Sequence, residues 1–369
     1  MIWSVPVLQD TTIYEFDPYR NTGLDPILEL YKKGDISTSD LNESRILIQF
    51  DLNTLPEILS ENNVTINDVV ANLNLYAVLE SELPTQYSLE AKALAAPWSN
   101  GIGYKFYPSS ISTMTLENGA TWVDANGSGS LQWADVSTPG TTFNYSNEPG
   151  GGAWYTSSIT SQSFRFKSAD SVNIDVTNVV KSWYNGEFDN NGLLISFKYS
   201  EISSSNYPNT ILQFYSAETH TVYEPQLYIQ WSGSQSYSTG SYTVASINDN
   251  PIVFTKSFKA EQLQNTKIRI QLGTRAKFPR KSFTQNSVFS TLKALPKNSF
   301  YQVKDAHTNQ ILIPYSDFTR INTVNDLSYF DMYTTMLYPE RFYKFEIKVE
   351  FDGISEYYHG DDFIFKVIS

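Results

Sequence analysis

The stretch 44–52, SRILIQFDL, alternates through its middle: Ile46, Ile48 and Phe50 fall on one side, Leu47, Gln49 and Asp51 on the other. A period of two belongs to a pleated strand with one face in a core, not to an amphipathic helix, whose apolar positions recur at three and four. Similar short runs follow along the chain, among them VANLNLYAVLE, YSLEAKAL, GLLISFKYS, TILQFYS and EPQLYIQW, then KIRIQLGTRA, RFYKFEIKVEFDG and DDFIFKVIS. Gly, Asn, Ser and Pro separate them, which predicts packed antiparallel sheets and not alternating strand–helix units. The 25 Tyr and 22 Phe suit a pleated surface. Two short helices are expected, around LPEILSEN and around DVTNVVKSWYNGE, where Asp175 or Thr177 supplies a cap. The stretch 124–153, rich in Gly and Ser, reads as long surface loops.

At 369 residues the chain exceeds one small core. SGSQSYSTGSY (232–242) has the composition of a flexible linker. The expected division is therefore a first domain over 1–232, a linker over 233–244 and a second domain over 245–369. The fold class is all-β: an N-terminal jelly-roll or β-sandwich, then an immunoglobulin-like β-sandwich. Charge divides near the same place. Residues 1–250 hold 10 Lys and Arg against 27 Asp and Glu, a balance of −17; residues 251–369 hold 16 against 12, a balance of +4. Two units with different surroundings are implied. The acidic part is a poor nucleic-acid binder, because phosphate neutralisation needs clustered cations. The start, MIWSVPVLQDTTIYEF, lacks the basic and apolar regions of a signal peptide, and no run approaches the ~20 apolar residues of a membrane span. Synthesis in a cytoplasm, without membrane insertion, is the expectation.

Residues that carry chemistry are scattered. Cysteine is absent, which removes disulfides, thiolate nucleophiles and cysteine zinc sites. His220, His307 and His359 lack the helical spacing of a zinc protease, and each reads as structural. DANGSGS (124–130) and EFDNNG (187–192) offer oxygen ligands, as do Asp361 and Asp362 beside His359. None completes a calcium loop, and EFDNNG reads better as a turn. No GxSxG, phosphate loop or nominated carboxylate pair appears. No enzyme activity, metal or cofactor is expected.

Seven pieces occur in a specific order: TTIYEF (11–16), SRILIQFDL (44–52), ANLNLYAV (71–78), GATWVD (119–124), LQW (131–133), NIDVTNVVKSWYNGEFDNNGLLISF (173–197) and LQFYSAETHTVYEPQLYIQW (212–231). Together they resemble the DNRLRE-type domain, over roughly residues 5–232. The remainder, through AKFP, LPKNSFYQVKDAHTNQ and YPERFYKFEIKV, is similar to a C-terminal β-domain of structural proteins in large tailed phages. The resemblance implies a jelly-roll module that serves as an architectural lobe or binds polysaccharide, with no catalytic residues. It implies a virion protein of the neck, tail or head decoration, present in several symmetric copies and held by other virion proteins. The alternative is a carbohydrate-binding adhesion module for a host-surface polysaccharide. On that alternative Trp133 and Trp154, in the polar stretch, are the sugar-stacking candidates, Trp154 being the one expected at the surface. Trp122 and Trp183 match positions the family packs inside.

The run KIRIQLGTRAKFPRKS (267–282) places Lys267, Arg269, Arg275, Lys277, Arg280 and Lys281 around a core of Ile268, Ile270 and Leu272. It reads either as a solvated strand edge or as an electropositive docking face for an acidic partner.

Overall fold

In the computed structural model the described residues are 1–34, 41–81, 85–105, 119–127, 129, 131–137, 140–144, 150–165, 172–198, 209–221, 223–233, 236–279 and 291–369. The protein is all-β, and its chain separates into two compact units, Val5–Ile229 and Met1–Ser4 with Gln230–Ser369.

Within Val5–Ile229, the opening stretch lies on strand Leu41–Phe50, paired antiparallel with Ile2–Tyr14 on one side and Leu193–Phe197 on the other. The sheet continues from Leu193–Phe197 through Gln86–Leu94 and Gly150–Arg165 to Thr141–Asn144. Strand Ile27–Gly34 joins the start of Leu41–Phe50 and carries Thr210–Tyr215 and then Ala77–Ser81. Val69–Leu75 pairs with Val172–Asp175. Alternation predicts one buried face for Leu41–Phe50, but Ile46, Leu47 and Ile48 are all fully buried. The side bearing Leu47 is covered by Trp122, Trp133 and Trp154, so part of the polar stretch read as surface loops packs on the sheet instead.

The two expected helices form, at Leu55–Glu61 and Thr177–Tyr184. Leu55 and Leu59 anchor the first, and Val179, Val180 and Trp183 the second. At the second, the Thr177 N–H donates to Asp175 Oδ1 at 2.9 Å, so Asp175 satisfies one of the open helix-start donors.

The second unit is a two-sheet sandwich. One sheet runs Tyr237–Ser238, Asn322–Val324, Leu327–Tyr333, Lys267–Ala276, Pro251–Lys256; the other runs Glu261–Leu263, Ile364–Ile368, Phe342–Phe351, Ser299–Asp305, Ile311–Ile313. Part of the stretch expected as linker is thus strand: Tyr237–Ser238 pairs in parallel with Thr323 and Val324. Aromatic rings fill the space between the sheets. Tyr301 stacks on Phe330 at 4.0 Å and Phe345 on Phe363 at 4.7 Å, both with nearly parallel rings. The hairpin from Phe342–Phe351 to Ile354–Tyr358 turns on Asp352 and Gly353, with φ of 47° and 86°. Two central residues with positive φ match the twist of the flanking strands, which is why an Asp-Gly pair stands there.

Candidate functional site

The tryptophans expected to stack on sugar stack on cations instead. Arg45, on Leu41–Phe50, places its guanidinium carbon 4.8 Å from the Trp122 ring centroid and 5.3 Å from that of Trp154. Lys92 Nζ lies 4.7 Å from the same Trp154 ring. Arg45 also donates to Glu43 from two nitrogens, and to Gly151 O at 2.6 Å. Lys92 pairs with Glu90 at 3.0 Å. Burial, and then the Arg45 charge, hold the Lys92 ammonium below its ordinary pKa. Trp133 is fully buried and donates its indole N–H to Thr121 O at 2.9 Å; Trp154 is 8% exposed. Neither presents a face to a sugar ring, which corrects the sugar-stacking assignment of Trp133 and Trp154. Trp122 and Trp183 are buried as expected.

The glycine triplet makes this stack possible. A Cβ on Gly150 would sit 2.0 Å from Trp122 O, and one on Gly151 would sit 2.7 Å from Arg45 Nη1 and 2.8 Å from the Trp122 ring. Both residues also have positive φ. The triplet is therefore a passage for backbone over a buried Trp–Arg pair, and not a flexible tip. In sequence the two uses of glycine look alike.

On the second unit, Lys267, Arg269 and Arg275 stand at even spacing along Lys267–Ala276 and so share one face, with Lys277 just beyond the strand end. Ile270 and Leu272 point into the core, as the alternation requires. Across the ladder, Arg269 opposes Asp331 and donates to it twice, at 2.7 and 2.8 Å, while its guanidinium lies 4.5 Å from the Tyr329 ring. That carboxylate raises the Arg269 pKa further and cancels its charge on the face. Lys267 Nζ lies 6.0 Å from the Tyr333 ring, and Lys277 Nζ 5.6 Å from that of the exposed Phe278. Arg280 and Lys281 lie outside the described residues. The row is less positive than its sequence, because Asp331 lies 62 residues away and only the strand pairing brings it beside Arg269.

The histidines do not converge. His307 sits in a turn organised by Asp305, whose Oδ1 accepts the N–H groups of His307 and Thr308 at 2.9 and 2.8 Å. Burial pushes the Asp305 carboxyl up, but these bonds and Arg341 overcome it and bring it down to about 2. His359 lies nearest Glu346, at 3.9 Å. Among the described residues no group of three His, Cys, Asp or Glu is placed to hold a metal. In the loop 187–192, Glu187 accepts from Ser182 at 2.7 Å and Asn190 donates to Phe50 O at 2.8 Å, so these oxygens and amides close a turn. The buried Glu29 accepts from Tyr14 at 3.2 Å, from Gln213 at 2.8 Å and from Lys105, which places it as a structural hub. Comparison with known proteins finds no matching family model, no matching curated protein and no matching solved structure.

Proposed function

We propose that the chain is a structural virion protein of a tailed bacteriophage, a neck, tail or head-decoration component that works through protein–protein interfaces. The observation that carries the reading is the row of Lys267, Arg275 and Lys277 along one strand of a +4 segment, in a chain whose first 250 residues balance at −17. The ordered resemblance to DNRLRE-type and phage β-domains supports the same reading. An all-β unit with one electropositive row is suited to dock by complementary charge, which sets register and encounter rate more than affinity. Many copies on a symmetric particle then convert weak contacts into firm attachment. Arg269 contributes little to such docking, since Asp331 already neutralises it. The test is particle assembly with Lys267→Glu, Arg275→Glu and Lys277→Glu combined. Incorporation should be lost while the purified variant stays folded; particles that carry the triple variant at the normal level reject the docking row.

A further inference from the structure

An open cleft of about 350 Å³ lies beside the end of strand Leu41–Phe50, wholly within the Val5–Ile229 unit. Its walls come from three places: the strand end at Gln49, Asp51 and Asn53, the C-terminal end of helix Thr177–Tyr184, and Leu8. A β-bulge explains Leu8. Val7 pairs with Phe50 and Gln9 with Gln49, so Leu8 is left over, and its side chain is 59% exposed at the cleft. Tyr184 is 41% exposed at the same opening, and Trp183, 8% exposed, also lines it.

The frame is fixed before any ligand arrives. Gln49 accepts from Gln9 at 2.6 Å and donates to Asn190 O at 2.7 Å, while Asn190 donates to Phe50 O. Two groups at the rim stay available. Asp51 uses one oxygen to accept the Asn53 N–H at 2.9 Å, and among the described residues the Asn53 side-chain amide has no protein partner. One buried donor is also unmatched: the Trp183 indole N–H finds no acceptor among the described residues.

We infer that this cleft binds a neutral saccharide, one or a few rings seated against Tyr184 and Leu8 with hydroxyls bonded to Asp51 and Asn53. Other ligand classes fit less well. No Lys, Arg or His lines the cleft, and residues 1–250 balance at −17, so anions are repelled. A single carboxylate with neutral amides is too few oxygens for a hard cation. Strand addition by a peptide is blocked, since Ile48 is already paired with Asp10 on one side and Leu193 on the other. What remains is a ligand with apolar faces and interleaved donors and acceptors, which a sugar ring supplies. Small clefts of this mixed lining, near the lower end of the ~300–1,000 Å³ range, hold small ligands. A ligand hydroxyl, or a water it fixes, then serves the Trp183 N–H.

This inference stands apart from the docking row and does not depend on it. The test is a glycan array with the full chain, carrying neutral and acidic glycans, followed by calorimetry with the strongest neutral oligosaccharide. Tyr184→Ala and Asn53→Ala should each weaken binding roughly tenfold, and Phe278→Ala, in the other unit, should leave it unchanged. Asn53 is exposed, so its variant reports on binding even if Tyr184→Ala disturbs the helix end. A blank array, binding confined to acidic glycans, or neutral-glycan binding retained by the Asn53→Ala protein overturns the assignment. A protein that assembles into particles yet ignores every glycan loses only the cleft; one that binds a neutral glycan but tolerates the lysine and arginine reversals loses only the docking row.

Discussion

Asp10 lies in the middle of strand Ile2–Tyr14, 1% exposed, with Oδ2 accepting the Ala217 N–H at 2.7 Å. Burial pushes its carboxyl up to about 8; the Ala217 bond pulls the other way, and Glu218 and Glu224 add to the rise. In the folded chain the proton is therefore held far more tightly than in the unfolded chain, where the group titrates near 3.8. Below about pH 3.8 both states carry the proton and the group is neutral to stability. As pH rises towards 8 the unfolded state loses the proton first, so stability falls by up to about 1.4 kcal/mol per pH unit. Between pH 5 and pH 7 this one residue should cost about 3 kcal/mol. Asp10→Asn mimics the protonated form, keeps an oxygen for Ala217 and does not titrate. Urea unfolding followed by tryptophan fluorescence is a suitable assay, because Trp98, Trp122, Trp133, Trp154 and Trp183 all lie in the unit that holds Asp10. The stability difference, variant minus wild type, should climb by about 3 kcal/mol from pH 5 to pH 7 and flatten above pH 8. A difference that stays constant across that range refutes the reasoning, whatever its sign.

Gly151→Ala forces a methyl group into Arg45 and Trp122 at a positive φ; it should cost on the order of 3 kcal/mol in the same urea assay, and a loss under about 1 kcal/mol contradicts the close-passage account. Arg45→Met leaves the buried Glu43 unpaired and should cost about 3–5 kcal/mol, whereas Arg45→Met with Glu43→Gln should recover most of it; simple additivity in that cycle would exclude the pairing as the cause. Asp331→Asn frees the half-exposed Arg269, and its stability change should remain under about 1 kcal/mol by thermal or urea unfolding, since exposed ion pairs contribute little.

Local pattern was enough for several features. The alternation of SRILIQFDL and RFYKFEIKVEFDG marks strands, the Asp-Gly pair marks a hairpin, and LPEILSEN and DVTNVVKSW mark the two helices, because each rests on contacts or dihedral preferences within a few residues. Charge balance likewise needs only counting. The fate of Trp133 and Trp154 was not legible, since an indole in a Gly-rich polar stretch looks exposed until that stretch is laid over Leu47 and Arg45. Nor was the cancellation of Arg269 by Asp331, or the meeting of Leu8, Asp51 and Tyr184 at one cleft. Periodicity along a strand states which side chains share a face. What covers that face is decided by segments tens to hundreds of residues away, and only the folded backbone sets which of them arrive.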